Sequence, residues 1–267
     1  MHGKNLETVF FRTAAMSIAS LIISLLLSSV LVGQTVPEEA KASPVASLPL
    51  DQIVDNLIAR NAERSRNLLH CEGTRVYRLT YRGLPSNREA EMTVEASYDS
   101  PASKEFKVVS QSGSKIILNH VFARLLEAEK ESVRPEIASQ TQLNRENYEF
   151  AFVGYDAAQK QYELQVTPKH KSKYVYRGKI WVDATEFAVS HIEAEPAQNP
   201  SFWTKQSEIH HEYQKIQNSW VPTRNESVSY IRLGGRATLT IEYKDYRLTE
   251  AYAATVRPSA EHVESSH

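Results

Sequence analysis

The chain has a single cysteine, Cys71, in 267 residues, so no disulfide can form within it and its stability has to come from packing. It has no surplus of either charge: 31 Lys and Arg face 32 Asp and Glu. That balance argues against a polyanion such as nucleic acid as partner. Also missing are the short motifs of common chemistries. There is no G-x-S-x-G nucleophile elbow, no H-E-x-x-H helix, no C-x-x-C pair and no phosphate loop. No catalytic residue, no metal and no cofactor is expected, and the protein reads as non-enzymatic.

Long apolar runs are confined to one place. Lys4 and Arg12 precede the uncharged stretch from Ala14 to Val32, which reads as an export signal. At about 19 residues it is also near the minimum for a membrane span, so an uncleaved inner-membrane anchor is the alternative. Ala40-Lys41-Ala42 supplies a small-x-small site, with cleavage expected before Ser43. Lipidation at the N-terminus needs a cysteine just after the apolar run, and Cys71 is too far away. Residues 1–42 are therefore expected to be signal peptide or anchor with a proline-bearing tether. Residues 43–267 are expected to form one domain, which at that length could bury roughly 70% of its unfolded surface. The expected location is the periplasm.

What the chain does have is alternation. From Tyr148 to Arg247 apolar and polar residues trade places over short segments separated by turns, the signature of half-buried antiparallel strands. Tyr148, Phe150 and Phe152 share a face, as do Tyr162, Leu164 and Val166, and Ala237, Leu239, Ile241 and Tyr243. Upstream, Arg75 to Tyr81, Glu89 to Tyr98 and Lys104 to Gln111 read as three more strands, the first two joined as a hairpin at Gly83-Leu84-Pro85. The pattern gives roughly ten strands. Two segments change to helical rhythm: residues 51–68, with Asp51 as N-cap, and a stretch from Ile116 to Glu131 with a charged outer face. The polar stretch from Pro135 to Asn147 reads as a connection.

Several segments are similar to a group of bacterial outer-membrane lipoprotein-sorting proteins: Tyr148 to Tyr155, the Pro168-Lys169 hairpin, Gly178-Lys179-Ile180-Trp181-Val182-Asp183, and Glu195 to Trp203. Together with the order leader, helix, three strands, helical insertion and meander, they resemble the LolA/LolB-like superfamily. The resemblance implies an α+β, mainly β fold: an incomplete antiparallel β-barrel of about eleven strands wrapped around lid helices, with an apolar cavity for acyl chains. It implies lipoprotein acyl chains or lipid as ligand, with an inner-membrane transporter and an outer-membrane receptor as further partners. Receptors of this superfamily are lipoproteins. This chain lacks the lipobox cysteine and is more like a soluble carrier or an anchored relative.

An acyl chain entering such a cavity gains about 0.8 kcal/mol per methylene without polar chemistry. The candidate walls are Met92, Val94, Phe106, Val108, Phe150, Phe152, Leu164, Val166, Leu239 and Ile241, with Val121, Phe122 and Leu125 on the lid helix. The plainer reading of each is ordinary core. Phe202 and Trp203 lie between polar and proline residues and are candidates for contact with a membrane or partner. Lys169, Lys171 and Lys173 form a basic hairpin that would meet anionic headgroups at about 1 kcal/mol per cation; the plainer reading is a solvated hairpin. His210 and His211 are adjacent on a strand, so they point to opposite faces and cannot chelate together. Asn225-Glu226-Ser227 matches a glycosylation sequon inside a strand. Two other functions stay open: an envelope-stress sensor of the same fold, and an envelope hydrolase using His191, His210 or His211.

Overall fold

Alternation becomes one very wide sheet. The computed structural model describes residues 48–251 except 102, 173, 199–203 and 233, so the leader, Lys173, Phe202 and Trp203 lie outside the described residues. The described residues begin with a helix, α1 (Leu50–Asn67), followed by strands β1 (Leu68–Arg82), β2 (Arg88–Asp99) and β3 (Ser103–Gly113). A π-helical turn, π1 (Ile117–Phe122), runs directly into α2 (Ala123–Ser132), and a short α3 (Pro135–Thr141) follows. Seven strands complete it: β4 (Tyr148–Asp156), β5 (Gln161–Pro168), β6 (Tyr176–Asp183), β7 (Val189–Pro196), β8 (Thr204–Ile216), β9 (Ser219–Ile231) and β10 (Arg236–Glu250). No helix among the described residues is long and apolar enough to cross a membrane.

The ten strands form a single sheet in the order β3-β2-β1-β10-β9-β8-β7-β6-β5-β4, with every neighbouring pair antiparallel. The sheet is open. Its two edges, β3 and β4, are consecutive in sequence, and the helical insertion π1–α2–α3 runs between them. The last strand returns to pair with the first, as in Tyr77 opposite Ile241. Among the described residues the strands number ten, as the alternation gives, in an open sheet consistent with the incomplete barrel of about eleven strands that the resemblance implies.

Because directly paired residues share a face, the register gives the inner face row by row. One row crosses all ten strands: Phe152, Leu164, Ile180, Ile192, His211, Asn225, Ile241, Tyr77, Met92 and Gln111. On either side of its polar centre, His211 and Asn225, the row is apolar, and on the edge strand β3 it ends in Gln111. The helices cover the apolar stretches on the two sides. Ile53, Val54 and Leu57 of α1 are fully buried against Tyr148, Leu164, Val166, Ile180 and Val182. Ile117, Val121, Phe122 and Leu125 of π1–α2 bury themselves against Tyr77, Met92, Val94, Leu239 and Ile241. Gly178 interrupts the apolar inner face of β6 because a Cβ there would strike the carbonyl of Glu193 on β7.

Three sequence expectations need correction. Asp51 is not the N-cap of α1: Pro49 holds that place with no side-chain cap, and Asp51 lies in the first turn. The stretch after Pro135 is not all connection, since Pro135 at the first turn opens α3, as proline's fixed φ allows. Leu68 belongs to β1 rather than to the first helix.

Candidate functional site

Of the expected wall residues, nine are buried, six on the inner face of the sheet and three on the helix packed against it, and they divide between two clusters. Met92, Val94, Val121, Phe122, Leu125, Leu239 and Ile241 belong to the cluster under π1–α2, and Leu164 and Val166 to the cluster under α1. Phe106 and Phe150 are half-buried at the margins of these clusters. The clusters are separate, so the thirteen residues do not line one continuous wall.

Val108 and Phe152 depart from the expectation of enclosed wall. They are 48% and 41% exposed, although Val108 opposes the fully buried Val94 and Phe152 opposes the fully buried Leu164. They have the right face but the wrong strand. β3 and β4 are the two edges, and each carries an irregularity beside the exposed residue, between Thr93 and Val94 in the β2–β3 pairing and between Phe152 and Gly154 in the β4–β5 pairing. Val109 and Val153, next to these shifts, are exposed as well, at 55% and 46%. The apolar face thus continues past the cover of the helices to both open edges.

Between the clusters the inner face of β8 and β9 turns polar. Thr204, Ser207, His211 and Asn225 are buried there. The hydroxyls of Ser207 and Ser229 are 2.8 Å apart, and Asn225 Nδ2 donates to the Tyr243 hydroxyl at 2.8 Å. Asn225 Oδ1 is buried without a hydrogen-bond partner, an uncommon and costly state for an acceptor. Burial lowers the His211 pKa to about 4, so its ring is neutral near pH 7. The burial of Asn225 also makes the sequon inaccessible in the folded chain.

The insertion helix is held by charge. Glu129 of α2, 3% exposed, receives the Arg75 guanidinium from β1, the Tyr77 hydroxyl at 2.8 Å and the Lys104 ammonium of β3 at 3.1 Å. Burial alone would raise the Glu129 pKa, but Arg75 and Lys104 outweigh it and hold the carboxyl below the ordinary range. Burial pushes Lys104 down despite Glu129. Arg75 also lies over the rings of Phe106 and Tyr243, 5.1 Å from each centroid, a cation–π arrangement. Sequence reasoning placed Glu129 on a solvated face. The one available signal was that its helical face also carries Leu125 and Val121.

Of the basic hairpin, Lys169 and Lys171 are exposed, and Lys169 Nζ donates to the Arg145 carbonyl at 2.8 Å. Cys71 lies in β1, half-buried, and burial raises its thiol pKa, which suits an inert thiol. His210 and His211 do face opposite sides, His211 opposing Ile192 on the inner face and His210 opposing Glu193 on the outer face.

No protein-family model and no curated protein matches the sequence. Solved structures do. An outer membrane lipoprotein-sorting protein domain from Vibrio parahaemolyticus, so described provisionally, aligns over 78% of this chain and 95% of its own at 10% identity and TM-score 0.37. A LolA superfamily protein from Nitrosomonas europaea aligns over 73% and 93% at 10% identity and TM-score 0.34. The Pseudomonas aeruginosa MucA/MucB complex aligns over 75% and 100% at 13% identity and TM-score 0.24. These are likenesses of fold at low identity. The descriptions of the first two name the group that the sequence resembles.

Proposed function

We propose that the protein is a non-enzymatic periplasmic carrier or chaperone that holds the acyl chains of lipoproteins or lipids for sorting to the outer membrane, residues 1–42 serving as its export signal or anchor. The observation that carries this reading is the incompletely covered apolar face. Two helix-covered sectors flank a polar centre, and the apolar surface runs on to exposed Val108 and Phe152 at the sheet edges. An acyl chain laid along either edge extends a surface that is already apolar, at about 25 cal/mol for each Å² withdrawn from water. The central strip offers Asn225 Oδ1 and the Ser207 and Ser229 hydroxyls to the polar end of such a cargo. Loading deeper into the sheet needs displacement of α1 or of π1–α2, which act as lids. Lys169 and Lys171 are the described candidates for contact with anionic headgroups, or with an inner-membrane transporter and an outer-membrane receptor.

The test uses the full chain purified after export, with solvent extraction and mass spectrometry of what comes off, and titration with a fluorescent fatty-acid probe. Saturable probe binding is expected, weakened at least about tenfold in a Val108→Asp, Phe152→Asp double variant, since losing two such apolar contacts exceeds the roughly 1.4 kcal/mol of a tenfold change. Absence of both co-purifying lipid and probe binding would overturn the proposal.

A further inference from the structure

We propose that His191, Glu193 and His210 form a binding site for one divalent transition-metal ion of the zinc class on the outer face of the sheet, opposite the apolar face. One ligand atom from each of the three lies within 4.8 Å of the others. Glu193 Oε1 is 3.2 Å from His191 Nε2 and 4.0 Å from His210 Nδ1. Donors around a tetrahedral zinc ion, bound at about 2.0–2.2 Å, stand about 3.3 Å apart. One pair is already at that spacing, and the others lie within 4.8 Å.

The strands set this spacing. Glu193 of β7 opposes His210 of β8, and His191 lies two residues before Glu193, so all three side chains leave the same face. The His191 ring packs on Trp181 with centroids 4.9 Å apart, which limits its rotation. Lys179 opposes Glu193, but its ammonium contacts Glu163 at 2.6 Å. Two imidazoles with one carboxylate favour zinc, copper or nickel over calcium or magnesium, which prefer all-oxygen sets. Glu212 opposes His191 on the same face and can supply a fourth donor. A surface pocket of about 380 Å³, lined in part by Glu193 and His210, adjoins the site and leaves a coordination position open to water or to a donor from a partner.

The test takes tag-free, chelator-stripped full chain and titrates it calorimetrically with zinc chloride. Saturation near one equivalent is expected. His191→Ala and His210→Ala should each weaken binding at least about tenfold, with His120→Ala unchanged. A second readout is quenching of tryptophan emission by copper(II). Proximity to His191 predicts that Trp181 carries the quenching, so Trp181→Phe should remove it and His191→Ala should shift it to at least about tenfold higher copper, and circular dichroism checks that each variant is folded. Absence of saturable binding, or zinc binding that survives the His191→Ala, His210→Ala double variant, overturns the proposal. So does copper quenching that in His191→Ala keeps the midpoint of the unaltered protein. None of these outcomes depends on acyl binding.

Discussion

The half of the sheet built from β1, β2, β3 and β10 and the half built from β4 to β7 both bury an apolar cluster beneath a helix, but they hold that helix by different means. In the first half the cover is pinned by a buried charge cluster: Glu129 meets Arg75, Lys104 and Tyr77 with almost no water access. In the second, α1 is held by Ile53, Val54 and Leu57 in the cluster and by polar ties at its rim. Arg64 donates to the carbonyls of Glu186 and Phe187 at 3.0 and 2.8 Å, and exposed Arg145 meets Asp51 and Asp55, each at 3.0 Å. A buried latch fails sharply when one partner is lost, because the remaining charges stay desolvated. Apolar packing under a helix gives way more gradually. In the proposed carrier function, this would make α1 the easier helix to displace and π1–α2 the more committed one.

The comparison is most easily broken at Glu129. Glu129→Ala leaves Arg75 and Lys104 buried without their counter-ion and is expected to cost about 3–5 kcal/mol in urea denaturation; a loss below about 1 kcal/mol would show that water reaches the cluster. Leu57→Ala, at a fully buried site, is expected to cost about 2–5 kcal/mol. Hydrogen exchange should then rise over α1 and β4–β7 while β1–β3 keep their protection. The two halves should also differ in acid. Glu129 has its folded pKa lowered, so its contribution is present above the ordinary carboxylate pKa and is lost as pH falls through the folded value. Tryptophan-independent probes on π1–α2 should therefore report loosening in acid that Glu129→Gln removes. The smallest effect is expected from Arg145→Ala, below about 1 kcal/mol because both partners are exposed; a larger loss would mean that the rim, not the apolar face, holds α1.

Much of the inner face was legible because alternation is a local signal. Leu164, Val166, Leu239 and Ile241 lie where period two places them, and the helical spacing of Val121, Phe122 and Leu125 survives the π-helical turn that begins that segment. Val108 and Phe152 were read to the correct face but not to their exposure, since no local pattern tells an edge strand from a central one. Glu129 was misjudged because a lone carboxylate in a charged run becomes a core residue only when β1 and β3 bring cations to it. The His191–Glu193–His210 group was missed for a similar reason: neighbours in sequence were weighed as ligands, whereas the set spans two strands.

The sequence by itself determined that this chain folds mainly as antiparallel strands with an apolar face and two helical segments to cover it, because side-chain periodicity is written residue by residue. Only the tertiary structure decided which strands became edges, which charges were buried and which histidine met a carboxylate. Each of those depends on the register between strands, and register arises from pairings that no single segment specifies.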